Sequence, residues 1–273
     1  MKTIRLLMMI TVALCVTCIS CSKFDDQNTP NGELKATDLA VYPNLNVPCN
    51  YWVDNFDAPY TLNTNWTLYG NPQPKWVASA YDRQGLFDNN GPSPTKNFAV
   101  SNSYVGKGKG YVIEGEVMLK ILNVNGACVC PGIAVSQSTN PELVNGEIPT
   151  GISFRLVFPG YNATWFEPKF RGHTWFTVEF VSESEKLVSS GFIAADTYSN
   201  SWHSLKIEVT PTRYVKFSCD NKIIWAPFTR IHPSMLANKK VVLGYTSDGD
   251  LNTRAGVAYH NFIKTSTTIV EDW

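Results

Sequence analysis

The chain has 273 residues, 23 basic and 23 acidic side chains, and 12% aromatic residues. Balanced charge without a basic patch argues against a nucleic-acid partner. The length, less a leader and a tether, suits one β-rich domain of about 200–250 residues rather than several.

At the front, Lys2 and Arg5 precede an apolar run from Leu6 to Val16, broken only by Thr11 and followed by small residues. These are the parts of an export signal. The run is about half of the roughly 20 apolar residues that span a bilayer, so it reads as a removed signal and not an anchor helix. The segment Cys18-Ile19-Ser20-Cys21 resembles a bacterial lipobox, with Cys18 in the usual Leu position. The resemblance implies a signal peptide over 1–20 and a lipid on Cys21; the alternative is an ordinary secretory signal. Ser22-Lys23-Phe24-Asp25-Asp26 is similar to the short tag that follows the lipidated cysteine in surface-exposed lipoproteins of the Bacteroidota. That likeness implies an outer-membrane protein facing the cell exterior, where a plain acidic tether is the blander reading.

Residues 21–50 are polar and turn-rich around "DDQNTPNGE" and read as a tether. Without Lys2 and Arg5, 23 − 2 = 21 basic residues face 23 acidic ones, a net charge near −2 for 21–273. Of the seven cysteines, Cys49, Cys128, Cys130 and Cys219 remain in the mature body. In an exported protein they permit disulfides, with three connectivities open. Cys128 and Cys130 share a strand face and are poorly placed to bond each other, and no His lies at zinc-ligand spacing from them.

From residue 51 onward alternation replaces helical periodicity. "YVIEGEVMLKI" sets Ile113, Val117, Leu119 and Ile121 against Glu114, Glu116, Met118 and Lys120. "ISFRLVF" sets Ile152, Phe154, Leu156 and Phe158 against Ser153, Arg155 and Val157, and "HSLKIEV" points Leu205, Ile207 and Val209 inward. "RYVKFSCDNKIIWAPF" predicts a hairpin turning at Asp220-Asn221, with Phe217 opposite Ile224, Cys219 opposite Lys222, and Trp225 outward beside Lys216. Only "HPSMLANK" invites a helical turn. Many short strands with turn signals between them predict an all-β sandwich of two antiparallel sheets.

"DNFDAPYTLNTNW", "YVIEGEVML", "WHSLKIEV", "YVKFSCDNKIIW" and "VVLGYTSDGDLNTRAGVAYHNFIK" follow the order seen in concanavalin A-like lectin/glucanase domains. The body, 51–273, resembles the laminin-G-like jelly rolls of that group over residues 51–268. The resemblance implies two curved sheets, a final strand beside the N-terminal one, and a concave face that often receives carbohydrate. It also makes Trp202, which leads its strand, a core-packing residue. Endoglucanases of this fold carry Glu-x-Asp-x-Glu on one strand; here Glu114-x-Glu116-x-Met118 lacks the third carboxylate, so both Glu are read as a solvated face. The Arg-x-Glu-x-Arg, Gln-x-His and Tyr-x-Lys strands of jelly-roll lyases are absent, as is a Gly-x-Ser-x-Gly elbow.

The aromatic residues are the remaining signal, because rings stack on the apolar faces of sugars. If Arg171-Gly172-His173 is a hairpin loop in "ATWFEPKFRGHTWFTVEF", Phe166, Phe170, Phe176, Val178 and Phe180 fall on the core face. Trp165, Glu167, Lys169, Trp175, Thr177 and Glu179 then share the other, and Trp165, Trp175, Glu167, Lys169 and Glu179 are the candidate carbohydrate-binding residues. The alternative is that both Trp are covered. Asp248, Asp250 and Asn252 alternate as in calcium loops but lack the Gly and the later Glu of an EF-hand, and read as a turn, with calcium the alternative and no other cofactor. His203, Cys219 and His260 show no shared spacing and are each read as structural. The expected function is polysaccharide capture without catalysis, beside an outer-membrane glycan transport complex. The alternatives are an atypical glycoside hydrolase or lyase with carboxylates from separate strands, such as Glu116 and Glu179, and a structural or adhesion module.

Overall fold

The computed structural model describes residues 52–56, 65–70, 73, 75–80, 83–88, 95–106, 109–139, 148–248 and 255–267. The expected signal, Cys21, the tether, Cys49, Asp250 and Asn252 lie outside them. One sheet runs β13 (Lys222–Trp225), β12 (Val215–Cys219), β11 (Trp202–Val209), β6 (Tyr111–Ile121), β15 (Gly256–Thr267), β4 (Arg83–Asp88) and β3 (Lys75–Ala80), and β1 (Trp52–Asp54) also pairs with β15. The other runs β10 (Leu187–Ala194), β9 (Trp175–Val181), β8 (Thr150–Pro159), β7 (Cys128–Ser136), β14 (Lys239–Asp248), β5 (Thr95–Val105) and β2 (Trp66–Tyr69). All pairings are antiparallel. The all-β, two-sheet sandwich expected from the alternation is what forms, and the helical turn expected near Pro233 is a 3-10 turn, Pro233–Leu236.

Alternation decides which side chains meet between the sheets. Ile113, Val117 and Leu119 of β6 and Leu205, Ile207 and Val209 of β11 face Ile152, Phe154, Leu156 and Phe158 of β8, all buried. Phe154 touches Phe176 at 5.5 Å within its own sheet and Phe217 of the opposite sheet at 5.7 Å. Burial of each such ring stabilises the fold by about 1.5–3 kcal/mol. Asp54 ties the N-terminal closure: it accepts hydrogen bonds from Trp66 Nε1 at 2.8 Å and from the Phe56 amide at 2.9 Å. Pairing of Trp52 with Thr265 places the first strand beside the last, as the resemblance implied.

Two expectations are corrected. The 219–222 hairpin turns through Asp220 and Asn221, both at positive φ (49° and 65°), and Cys219 pairs with Lys222. A bulge then sets Phe217 opposite Trp225 instead of Ile224. Trp225 therefore faces the core, stacked 6.1 Å from Phe217 and 5.9 Å from Phe180, and is not an outward neighbour of Lys216. Trp202 packs on the outer face of its sheet, with Met118, Val257 and Tyr259, and not between the sheets. Its strand parity is opposite to that of Leu205, so it has no access to the main core.

Candidate functional site

β9 lies one strand from the edge of its sheet. Phe176, Val178 and Phe180 point into the core, and Trp175, Thr177 and Glu179 point out. β10 pairs with it through Val188↔Phe180 and Ser189↔Glu179, but the register shifts before Phe192↔Thr177 and Ile193↔Phe176. Gly191 sits at this bulge with φ 67°. The extra residue inverts the alternation of β10, turning Ile193 inward and Phe192 out onto the face that carries Trp175.

The connection from β8 to β9 folds over that outer face. It is not the strand expected for Trp165 to Phe170: turns at 160–166 lead into a 3-10 turn, Pro168–Phe170. Pro168 has no N–H for a ladder, and its fixed φ suits the first turn of a helix. Phe166 and Phe170 consequently leave the core face assigned to them. Phe170 stacks on Phe192 at 4.3 Å, and Phe166 meets the edge of Phe192 at 5.8 Å. Arg171 clamps the turn, its guanidinium donating to the carbonyls of Thr164 at 3.0 Å and Phe166. Gly172, at φ 77°, lets the chain reverse, and a Cβ there would lie 2.5 Å from the Tyr161 ring.

The expected site residues separate within this architecture. Trp175 is half-buried beneath the loop; its indole N–H donates to the Phe170 carbonyl at 2.8 Å, and its ring meets Phe170 and Phe192 edge-on. Trp165 is 58% exposed and lies 6.3 Å from Phe166. Glu167 and Lys169 pair at 2.8 Å, both exposed, and the Lys169 ammonium sits 4.8 Å from the Phe170 ring. Glu179 stays on the outer face of β9, between Ser153 and Ser189. Sequence reading missed Phe192, Tyr161 and the pair formed by His173 Nδ1 and Asp196 Oδ2 at 3.0 Å. Ser-Gly inside an alternating strand is the available signal for the bulge that presents Phe192; none marks Tyr161, which is 54% exposed.

The carboxylates do not converge. Glu114 pairs with Lys264 at 2.9 Å and accepts from Ser204 Oγ at 2.9 Å, and Glu116 accepts from Asn261 at 2.7 Å. They lie on the outer face of one sheet and Glu179 on the outer face of the other, so the pairing of Glu116 with Glu179 is overturned: the core separates them. No described strand carries three carboxylates on one face, and β8 presents Ser153, Arg155 and Val157 outward. Cys128 and Cys130 share the outer face of β7, as expected.

No family model matches the chain, and neither does any curated protein. Solved structures match along most of its length. The carbohydrate recognition domain of Emp47p is similar with a TM-score of 0.50 at 11% identity, over 80% of this chain and 95% of that one. The CBM2 module of the evolved Dit of Lactobacillus casei BL23 phage J-1 gives 0.52 at 11% identity, over 83% and 100%. The exoplasmic/lumenal domain of VIP36, in its Ca2+/Man3GlcNAc-bound form, gives 0.51 at 12%, over 80% and 90%. The fold is the concanavalin A-like jelly roll. As for calcium, Asp248 ends β14, while the described residues group His203, Cys219 and Asp220, whose imidazole and thiol do not fit an ion that takes oxygen ligands.

Proposed function

We propose that the protein is a surface lipoprotein, anchored to the outer membrane through a lipid on Cys21, whose jelly roll captures polysaccharide without cutting its glycosidic bonds. The observation that carries the reading is the solvent-facing Trp165 beside Phe166, which belongs to a packed aromatic cluster with Phe170, Trp175 and Phe192. An exposed indole presents an apolar face on which a sugar ring can stack, and charged neighbours orient hydroxyls. In this reading Trp165 stacks on the sugar, Trp175 holds the loop from below, and Glu167, Lys169 and Glu179 supply polar contacts. The glycans and carbohydrate recognition named for structures of this fold support it, as do the lipobox-like segment and the acidic tag. A neighbouring outer-membrane transporter would take up what is captured.

The test is a glycan array on the purified protein followed by calorimetry of variants. Loss of one stacking contact removes on the order of 1 kcal/mol, so Trp165→Ala should weaken binding several-fold. Unchanged affinity in that variant moves the site elsewhere. Replacing Cys21 with Ser should release the protein from membranes, and replacing Asp25 and Asp26 should leave it anchored but shielded from protease added to whole cells. A Cys21→Ser protein that still fractionates with membranes refutes the anchor.

A further inference from the structure

The segment joining β10 to β11 runs from the aromatic face to the end of the sandwich. Ala195 donates to the Thr174 carbonyl at 2.9 Å, and Asp196 accepts from the Thr174 amide at 2.7 Å. Tyr198 lies edge-on to Phe176 at 4.9 Å and to His203 at 4.9 Å. Asn200 takes a left-handed conformation (φ 60°) and is pinned on both sides, its amide donating to Leu119 and its side chain accepting from Ile121 at 2.8 Å. Ser201 follows, exposed, one residue before β11 begins.

Around Ser201 three side chains form a linear relay. Asp220, in the β12–β13 turn, accepts from the Ser204 amide through Oδ1 at 2.9 Å and holds His203 Nδ1 through Oδ2 at 2.6 Å. A carboxylate can only accept, so the Nδ1 proton is fixed and the Nε2 lone pair is left to take the Ser201 hydroxyl, 2.7 Å away. The imidazole side chain is only 12% exposed, whereas Ser201 is open to solvent. This is the linkage of nucleophile, base and orienting acid that is recognised by geometry and role on unrelated folds.

We propose that Ser201, His203 and Asp220 form a hydrolytic triad that cleaves acyl esters, and, resting on the glycan-binding reading above, that its substrates are acylated sugar hydroxyls. Ser201 Oγ bonds to the acyl carbon as its proton passes to His203 Nε2. The ester C–O bond breaks, and the sugar oxygen leaves with that proton. Water then repeats the sequence on the acyl-serine and releases the carboxylic acid. Ser201 is the nucleophile and His203 the base; Asp220 is a positioning residue. The rival use of this corner is a metal site, since Cys219 Sγ lies with His203 and Asp220 ligand atoms inside 4.8 Å. Burial, and then the Asp220 charge, push the Cys219 thiol well above its ordinary range, and His203 Nδ1 and Nε2 are already engaged by Asp220 and Ser201; the chelator and Cys219→Ala measurements below separate the two uses.

The decisive measurements use the full-length protein with 4-nitrophenyl acetate, which needs no sugar recognition, and a fluorophosphonate probe mapped by mass spectrometry. We expect label on Ser201 and hydrolysis that falls about 100-fold or more in Ser201→Ala, with folding unchanged because the residue is exposed. Asp220→Asn suits the positive-φ turn but presents an amide N–H to Nδ1, inverting the tautomer; we expect a rate loss of ~10²–10⁴-fold, carried by kcat with KM little changed. Cys219→Ala should hydrolyse at the wild-type rate. No label and no rate above solution background in folded protein overturns the proposal, as does a rate that survives Ser201→Ala. Activity lost to a chelator and restored by zinc, and lost in Cys219→Ala, overturns it in favour of a metal. Hydrolysis of 4-nitrophenyl acetate without any glycan on the array supports the triad and overturns sugar esters as its substrate.

Discussion

Single residues at the candidate face divide by burial. Trp165→Ala removes an exposed ring and should leave the melting temperature unchanged. Trp175→Ala removes edge contacts and the N–H bond to Phe170, so calorimetric melts should show a loss of about 1–3 kcal/mol. Phe176→Ala empties a fully buried core site and should cost about 3–5 kcal/mol. Equal destabilisation by Trp165→Ala and Trp175→Ala would place both rings in the packing. His260 makes a second residue-scale prediction. Burial holds its imidazole down at about 3, against an ordinary 6.5, opposed by a hydrogen bond with the Gly244 backbone. As pH falls below 6.5 the unfolded chain takes up a proton that the native state refuses, so stability is lost on acidification, by up to about 1.4 kcal/mol per pH unit. His260→Gln should flatten the dependence of urea midpoints between pH 7 and 5; an unchanged slope assigns it to other groups.

Among elements, the β10 bulge and the β8–β9 connection decide what the outer face displays. No atom lies within 4 Å of a Cβ built on Gly191, so Gly191→Ala tests backbone conformation alone. Its left-handed φ should make that substitution cost about 1–2 kcal/mol in chemical denaturation. A neutral result would show that the bulge relaxes without its glycine. The inward half of β9 was legible in the sequence, because Phe176, Val178 and Phe180 obey a period of two that the core enforces. The half before Gly172 was not: Phe166 and Phe170 fit the same period but sit on a turn that Pro168 starts and Arg171 closes. Likewise the 220–221 turn was readable from residues that tolerate positive φ, while the bulge that turns Trp225 inward was not.

At the scale of the whole molecule, two sheets with apolar inner faces make a sandwich whose opposite outer surfaces cannot share a site, and this removes Glu116 and Glu179 as partners. Circular dichroism of the protein should accordingly show strand signal with a helical fraction well under the ordinary third of globular proteins. The amino-acid sequence by itself determined the sandwich and the inward residues of its regular strands, since strand alternation is a local property that burial of one face makes unambiguous; the meeting of the last strand with the first was implied by the resemblance alone. It did not determine the outer faces. Which aromatic ring is covered, and that Ser201, His203 and Asp220 meet, depends on a bulge, a loop fold and a cross-strand register. Those features bring together triad residues up to 19 positions apart, counted 220 − 201, and rings 26 apart, counted 192 − 166, and no spacing rule within one strand encodes such a meeting. Tertiary packing alone chose them, because only the assembled sheets fix where a turn from β12 lands against the start of β11.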